Sequence, residues 1–349
     1  MNTGIALAAT LTTAALLAGC GTDTTTGSAD STTAAAAGET TVTVLTHDSF
    51  DLPQELIDQF EAESGYTLVT TAPGDSAVVA GQLILTKDNP TVDAVFGIDT
   101  FTAAKATDAG VLADYTPAGL PESARDYIID PALTPTDVGD VCVNIDHAYF
   151  TDNNLAEPAT FEDLAKPEYA PLLVTENPAS SSPGLAFLAA TVAHFGEDGY
   201  LPYWKQVLDA GSKVDEGWSD AYYTDFSGAD GKGAFPLVVS YSSSLAETGG
   251  ATGYLPQTCV RQVEYAGVVA GAKNPEGAKA FVDFMVSPQV QAAFPEAMYM
   301  YPIDSTTALP TEWAAHATLS DAPVTLDPAT VAAGRDAWIE AWTTQFEQQ

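Results

Sequence analysis

From residue 41 onward, apolar and polar positions fall into short runs that switch between a period of two and a helical period. TVTVLT over 41–46 alternates as a half-buried strand, and PQELIDQFEAESG behind it sets Leu56, Ile57 and Phe60 on one helical face. Leu68 and Val69 form a short second strand before a turn at Gly74, Asp75 and Ser76. Residues 77–86 then read as a helix and 92–97 as a buried strand. Strand, helix, strand, helix, strand predicts α/β layering rather than a helical bundle or a β-sandwich.

The middle of the chain repeats this theme. It has a strand at 172–175, apolar helices at 184–195 and 201–210, and a buried strand at 236–240. Two extended runs, 141–145 and 262–269, bracket the block and predict crossovers between two lobes joined at a hinge, with a cleft between them. A helix opened by Asn274 and Pro275 carries Ala278, Phe281, Val282 and Met285 on one face. Another, opened by Asp327 and Pro328, carries Val331, Trp338 and Trp342. The expected division is 41–140 as the first part of lobe 1, 141–260 as lobe 2 with the crossovers, and 261–349 as the completion of lobe 1 with the C-terminal helices.

Residues 1–20 hold an apolar run too short to span a bilayer comfortably, ending in LLAGC at Cys20. This ending resembles the lipobox of bacterial lipoproteins, which implies a signal peptide, a lipid on Cys20 and an extracytoplasmic protein anchored to the cell membrane. Residues 21–40 are small and polar and cannot bury enough surface to offset chain entropy, so they are expected to act as a flexible tether. With Cys20 assigned to the anchor, Cys142 and Cys259 remain as a pair in an oxidising compartment, and a disulfide between them is expected.

The 349 residues include 11 Lys and Arg against 47 Asp and Glu, a formal charge of −36. Such a chain repels phosphate backbones, which argues against nucleic acid as a partner, and its acidity is first of all a property of the solvated surface. Catalytic patterns are weak. His47, His147, His194 and His316 are scattered without zinc spacing, and the chain has no P-loop, no G-x-G-x-x-G opening a helix and no G-x-S-x-G elbow. No catalytic residue, metal ligand set or cofactor is expected.

Polar and aromatic residues gather instead at the ends of predicted strands, where open α/β sheets present ligand sites. They lie in THDSF, GDS, SSSPG, GWSDAY, SYS and YMYP, and offer ring faces for a heteroaromatic ligand and carboxylates for a cation. TVTVLTHDSF, VDAVFGID, SSSPGLAF, GWSDAY, VVSYSSS and MYMYPID, in this order, resemble the periplasmic thiamine-binding proteins of bacterial ABC importers over most of 41–346. The resemblance implies a type II periplasmic-binding-protein fold, no enzymatic activity, and capture of thiamine or a thiamine phosphate for delivery to an ABC permease, with the protein expected to be a monomer. It implies an aromatic clamp of Trp218, Tyr241 and Tyr299, and helical spacing sets Tyr222, four residues after Trp218, on the same face. Asp75 would stand near the thiazolium, Ser76, Ser181 and Ser182 near the hydroxyethyl or phosphate end, and His47 would replace a tyrosine common in relatives. Gly184 would open a helix whose N-terminus favours a phosphate.

Three alternatives stay open on the residues. Tyr222 and Tyr223 form an adjacent pair of the type suited to Fe(III), the acidity suits a polyamine or another organic cation, and an exported thiamine-processing enzyme needs a nucleophile such as a free cysteine.

Overall fold

The computed structural model describes residues 40–229 and 233–348. The Cys20 anchor and nearly all of the 21–40 tether lie outside the described residues. Among the described residues eleven strands follow in order: β1 Thr41–Leu45, β2 Thr67–Thr71, β3 Ala94–Asp99, β4 Leu112–Ala113, β5 Thr134–Asp146, β6 Leu173–Glu176, β7 Lys213–Asp215, β8 Leu237–Tyr241, β9 Thr252–Tyr254, β10 Val260–Val269 and β11 Tyr301–Pro302. They join one mixed sheet whose main path is β2-β1-β3-β10-β5-β8-β6-β7.

The two ends of this sheet are built alike. β1 pairs in parallel with β2 and β3 at one end, and β6 pairs in parallel with β7 and β8 at the other. Between them β10 and β5 run antiparallel, and β5 serves both ends. Its residues up to Val141 pair with β10, whereas Val141 to Ile145 pair with β8. These are the expected crossovers, and β5 is longer than the sequence pattern indicates. Its first half, TPTDVGD, is polar enough to read as a loop, yet it is buried because its carboxylates find partners. Asp140 accepts from the Arg261 guanidinium and from the Ser320 N–H, and Asp137 accepts from the Thr136 hydroxyl.

Both faces of the β1–β3 end are covered, which is why β3 (AVFGID) is buried along its whole length. On one face Val42, Val44, Ala94 and Phe96 pack against Phe281, Val282 and Phe294, from the helices Pro275–Met285 and Pro288–Ala297. On the other, Leu45, Val95 and Ile98 pack with Val79 and Leu83 of the helix Ser76–Leu85. At the opposite end Val141, Val143, Leu237 and Val239 share a core with the helices Ser182–Phe195 and Tyr200–Asp209. The C-terminal helix Pro328–Phe346 joins this same core. There Trp342 meets Trp204 edge to face at 5.6 Å, and the Trp338 indole N–H donates to Glu197 at 3.0 Å.

Cys142, in β5, and Cys259, just before β10, are joined by a disulfide, as expected. The bond ties the two crossing strands together at the point where the chain passes between the ends of the sheet. No helix among the described residues is long and apolar enough to cross a membrane.

Candidate functional site

A cavity of ≈ 440 Å³ opens where the sheet changes from one end to the other. The segment leaving β1 brings His47, Asp48 and Asp51, and the turn after β2 brings Asp75. The end of β8 contributes Tyr241, and β10 contributes Glu264. The parallel strands β1, β2, β6, β7 and β8 thus aim their C-terminal ends or following segments at this region, as open α/β sheets do.

The aromatic wall is built around a single turn of π-helix, Asp220–Asp225. That widened turn stacks the ring of Tyr222 against Trp218 at 5.0 Å and 15° between planes, with Phe226 behind Tyr222 at 5.6 Å. The Trp218 indole N–H donates to Ser240 Oγ at 2.9 Å, which fixes the ring while its remaining surface lines the cavity. Tyr241 stands edge-on to Trp218 at 6.4 Å, and its hydroxyl donates to Gln262 at 3.4 Å. Tyr299 lines the far side with φ at 53°, in the left-handed region that costs a bulky side chain about 1–2 kcal/mol.

His47 also lines the cavity and is buried to 6% exposure. Its close approach to β3 depends on Gly97, where φ is +93° and a Cβ would stand 2.3 Å from the His47 ring. The Ser49 N–H donates to Nδ1 at 3.1 Å, so Nε2 carries the hydrogen and meets Glu264 at 3.2 Å. Burial lowers the pKa of His47, but the carboxylates of Glu264, Asp75 and Asp48 more than reverse this and raise it above the ordinary histidine value.

Asp75 has an unusual position. Its side chain accepts from its own helix at the Ser76 N–H (3.0 Å), and from the next lobe at the Ser182 N–H and the Ser182 hydroxyl (both 2.7 Å). One carboxylate thus joins the N-termini of the helices Ser76–Leu85 and Ser182–Phe195. Burial raises its pKa, and the Ser182 bonds and His47 offset part of that rise. Behind it, burial lifts Asp99 to about 6 despite the Thr102 hydroxyl bond, with help from the charges of Asp75 and Glu264. Burial and the charge of Glu264 also push Asp137 well above the carboxylate range. The cavity floor is therefore an acidic region in which adding a positive charge relieves repulsion.

Of the residues expected at the site, His47, Asp75, Trp218, Tyr241 and Tyr299 line this cavity. Ser76, Ser181, Ser182 and Tyr222 do not. The Ser76 hydroxyl pairs with Thr102 Oγ1 and receives the Asp99 N–H, while the Ser181 hydroxyl caps its helix at Gly184. Ser182 is taken up by Asp75, and Tyr222 is fully buried with its hydroxyl donating to the Ser244 carbonyl. The helix N-terminus at Gly184 packs tightly on β6, since a Cβ there would lie 2.6 Å from the Glu176 carbonyl oxygen.

Asp51, Glu247, Glu264 and Glu296 also line the cavity and carried no expectation from the sequence, while Tyr223 was weighed only as half of an iron-type tyrosine pair. Glu264 had a signal: it is a lone carboxylate inside the apolar crossover VEYAGVV. Among the described residues no group of three or more His, Cys, Asp or Glu side chains is placed to hold a metal ion.

A family model described as bacterial extracellular solute-binding protein matches residues 89–320. The thiamine-binding periplasmic protein of Escherichia coli strain K12 is 31% identical over 319 residues, covering 86% of this chain and 92% of that protein. A solved periplasmic thiamin binding protein is 28% identical with a TM-score of 0.75, covering 88% of this chain and 96% of its own. The ferric binding protein from Campylobacter jejuni, at 17% identity and a TM-score of 0.71, covers 87% of this chain and 99% of its own and shares the fold alone. The common architecture is the expected α/β type II periplasmic-binding-protein fold, two-lobed, with two crossing strands at the hinge.

Proposed function

The chain belongs to the bacterial extracellular solute-binding protein family, and on that premise we propose that its cavity captures thiamine. It is a binding protein rather than an enzyme, and its place is outside the cytoplasm, as the family description states. The observation that carries the thiamine reading is the pairing of a fixed aromatic wall with an acidic floor. Trp218, backed by Tyr222, and Tyr241 offer faces to two flat rings, and Asp75 and Glu264 offer counter-charge to a thiazolium. Relatives named for thiamine binding at 31% and 28% identity support the same reading.

In this proposal the lobes close on thiamine about β5 and β10, and the closed form is handed by a monomeric carrier to an ABC permease. A lipid on Cys20 would hold the protein at the membrane, with 21–40 as tether. An iron carrier is less well supported, because Tyr222 and Tyr223 diverge. Tyr222 gives its hydroxyl to a buried carbonyl, and Tyr223 alone faces the cavity. A cysteine-dependent thiamine-processing enzyme lacks its nucleophile while Cys142 and Cys259 are bonded to each other.

Isothermal titration with thiamine, spermidine and Fe(III) tests the reading. Saturable one-site heat with thiamine and none of comparable affinity with the other two is expected. Tighter binding of spermidine or Fe(III), or no heat with thiamine, would reject it.

A further inference from the structure

We propose that Gln262 positions the aromatic wall from behind: its amide, in the hinge strand β10, joins Glu264 and His47 on one side to the Tyr241 ring on the other. This role rests on the thiamine reading and deepens it. Gln262 is fully buried and does not line the cavity, so whatever it does to the ligand passes through its neighbours.

The hydrogen bonds through Gln262 run in one sense. The Ser49 N–H occupies His47 Nδ1, so His47 Nε2 donates to Glu264 Oε2 at 3.2 Å. The second oxygen of that carboxylate, Oε1, receives the Gln262 Nε2 amide hydrogen at 3.4 Å. This leaves the Gln262 carbonyl for the Tyr241 hydroxyl, which donates to it at 3.4 Å. Burial holds the Tyr241 phenol well above its ordinary pKa, so it keeps the hydrogen it gives. Turning the amide over would set its carbonyl against the Glu264 carboxylate, two acceptors face to face. Among side chains of this length, an amide or a protonated carboxyl donates at one corner and accepts at the other.

Strand register builds the seat. Gln262 stands opposite Gly139 of β5, and Glu264, two residues on, shares its face of β10. A Cβ at Gly139 would lie 3.2 Å from Tyr241 Cδ1 and 3.0 Å from Met300 Cε, so the Tyr241 ring crosses bare backbone on its way to Gln262. Packing over Gly139 and the bond to Gln262 together hold the ring edge-on to Trp218. Both supports belong to the two crossing strands, whereas His47 follows β1 and Tyr241 ends β8. Removing the amide takes a buried partner from the Tyr241 hydroxyl and from Glu264 Oε1, and with them the bond that fixes the ring.

Calorimetric titration of thiamine into the full chain, Gln262→Met and Gln262→Glu, all at pH 5.5, tests this role. Methionine fills the volume of glutamine but makes neither hydrogen bond, and it is expected to weaken thiamine more than about threefold. A protonated glutamic acid copies the amide, with its O–H for Glu264 and its carbonyl for Tyr241. The groups facing position 262 favour that form. Glu264 lies on its own strand, Asp137 and Asp99 flank Glu264 on β5 and β3, and Tyr241 comes from β8 with Asp75 acting on it. His47, the basic group, is engaged by Glu264. Gln262→Glu is therefore expected to stay within about threefold of the parent. A merely structural role would penalise glutamic acid at least as much as methionine. Gln262→Met within about threefold of the parent, or Gln262→Glu weaker than that, would overturn the role and leave the thiamine reading standing. If a thermal melt shows that Gln262→Met does not fold, the Gln262→Glu comparison decides alone by the same limit. A parent that binds no thiamine would remove both the thiamine reading and this role.

Discussion

Replacing Trp218 by alanine removes the central plate of the aromatic wall while leaving the polar frame around it intact. Ser240 Oγ loses the indole N–H but keeps its 3.0 Å contact with Ser244 Oγ, so no buried hydroxyl is orphaned. The cost to binding follows from what the ring does. Stacking of one aromatic pair is worth about 0.5–1.5 kcal/mol, and a cation held over a desolvated ring adds about 1–2 kcal/mol. Their sum, about 1.5–3.5 kcal/mol, corresponds to roughly a ten- to three-hundredfold rise in the thiamine Kd. Trp218→Phe, which keeps a face against Tyr222, should recover most of this. Calorimetric titration of the three proteins measures the effect, with a ligand-free thermal melt alongside to establish that the variants fold. An alanine variant that folds and binds thiamine within about twofold of the parent would refute the role given to Trp218.

Other consequences follow from the same geometry. Asp99, with a pKa of about 6, is largely protonated at pH 5, and burial raises Asp75 in the same direction, so the cationic ligand must displace protons there. Thiamine affinity is expected to be about tenfold weaker at pH 5 than at pH 7.5, and calorimetry in buffers of different ionisation enthalpy should register proton release. A pH-independent Kd would contradict this. The ligand-free protein should behave oppositely. The folded pKa of Asp99 lies above its unfolded value, so the native state binds more protons between pH 4 and 6, and stability falls as pH rises through that window. Breaking the Cys142–Cys259 bond with Cys142→Ser and Cys259→Ser together should cost about 2–4 kcal/mol in denaturant unfolding. An unchanged midpoint would mean that the bond does not constrain the unfolded chain. Gly97→Ala places a Cβ against the His47 ring and strains a φ of +93°, so it should lower stability by about 1–3 kcal/mol and weaken thiamine binding. A neutral effect on both would contradict the close approach described here.

The parts legible in the sequence are those governed by local periodicity and by residue type. Alternation in TVTVLT and the apolar run around Phe96 marked buried strands, and two cysteines in an oxidising setting marked a disulfide. Trp218, Tyr241, Asp75 and His47 stood out because aromatic and charged groups at strand ends seldom serve the core alone. What was not legible depends on side-chain direction and on partners distant in sequence. The widened turn at Asp220–Asp225 buries Tyr222 in the core and leaves Tyr223 at the cavity, and adjacent tyrosines carry no sign of which does which. Ser182 looks like a ligand donor until Asp75, 107 residues away in the chain, is found to take both of its hydrogens. The first half of β5 reads as a polar loop until Asp140 is paired with Arg261 across the crossover. Glu247 and Glu296 reach the cavity from segments far from Asp75 in the chain, and nothing near them in sequence announces that.

The most direct test of the central claim is a crystal structure of the protein with thiamine. One molecule is expected in the cavity, with a ring face on Trp218 and the thiazolium on the side of Asp75 and Glu264. The Asp75 contacts to Ser182 are expected to be kept. A cavity that stays empty at saturating thiamine, or thiamine bound away from Trp218, would contradict the account.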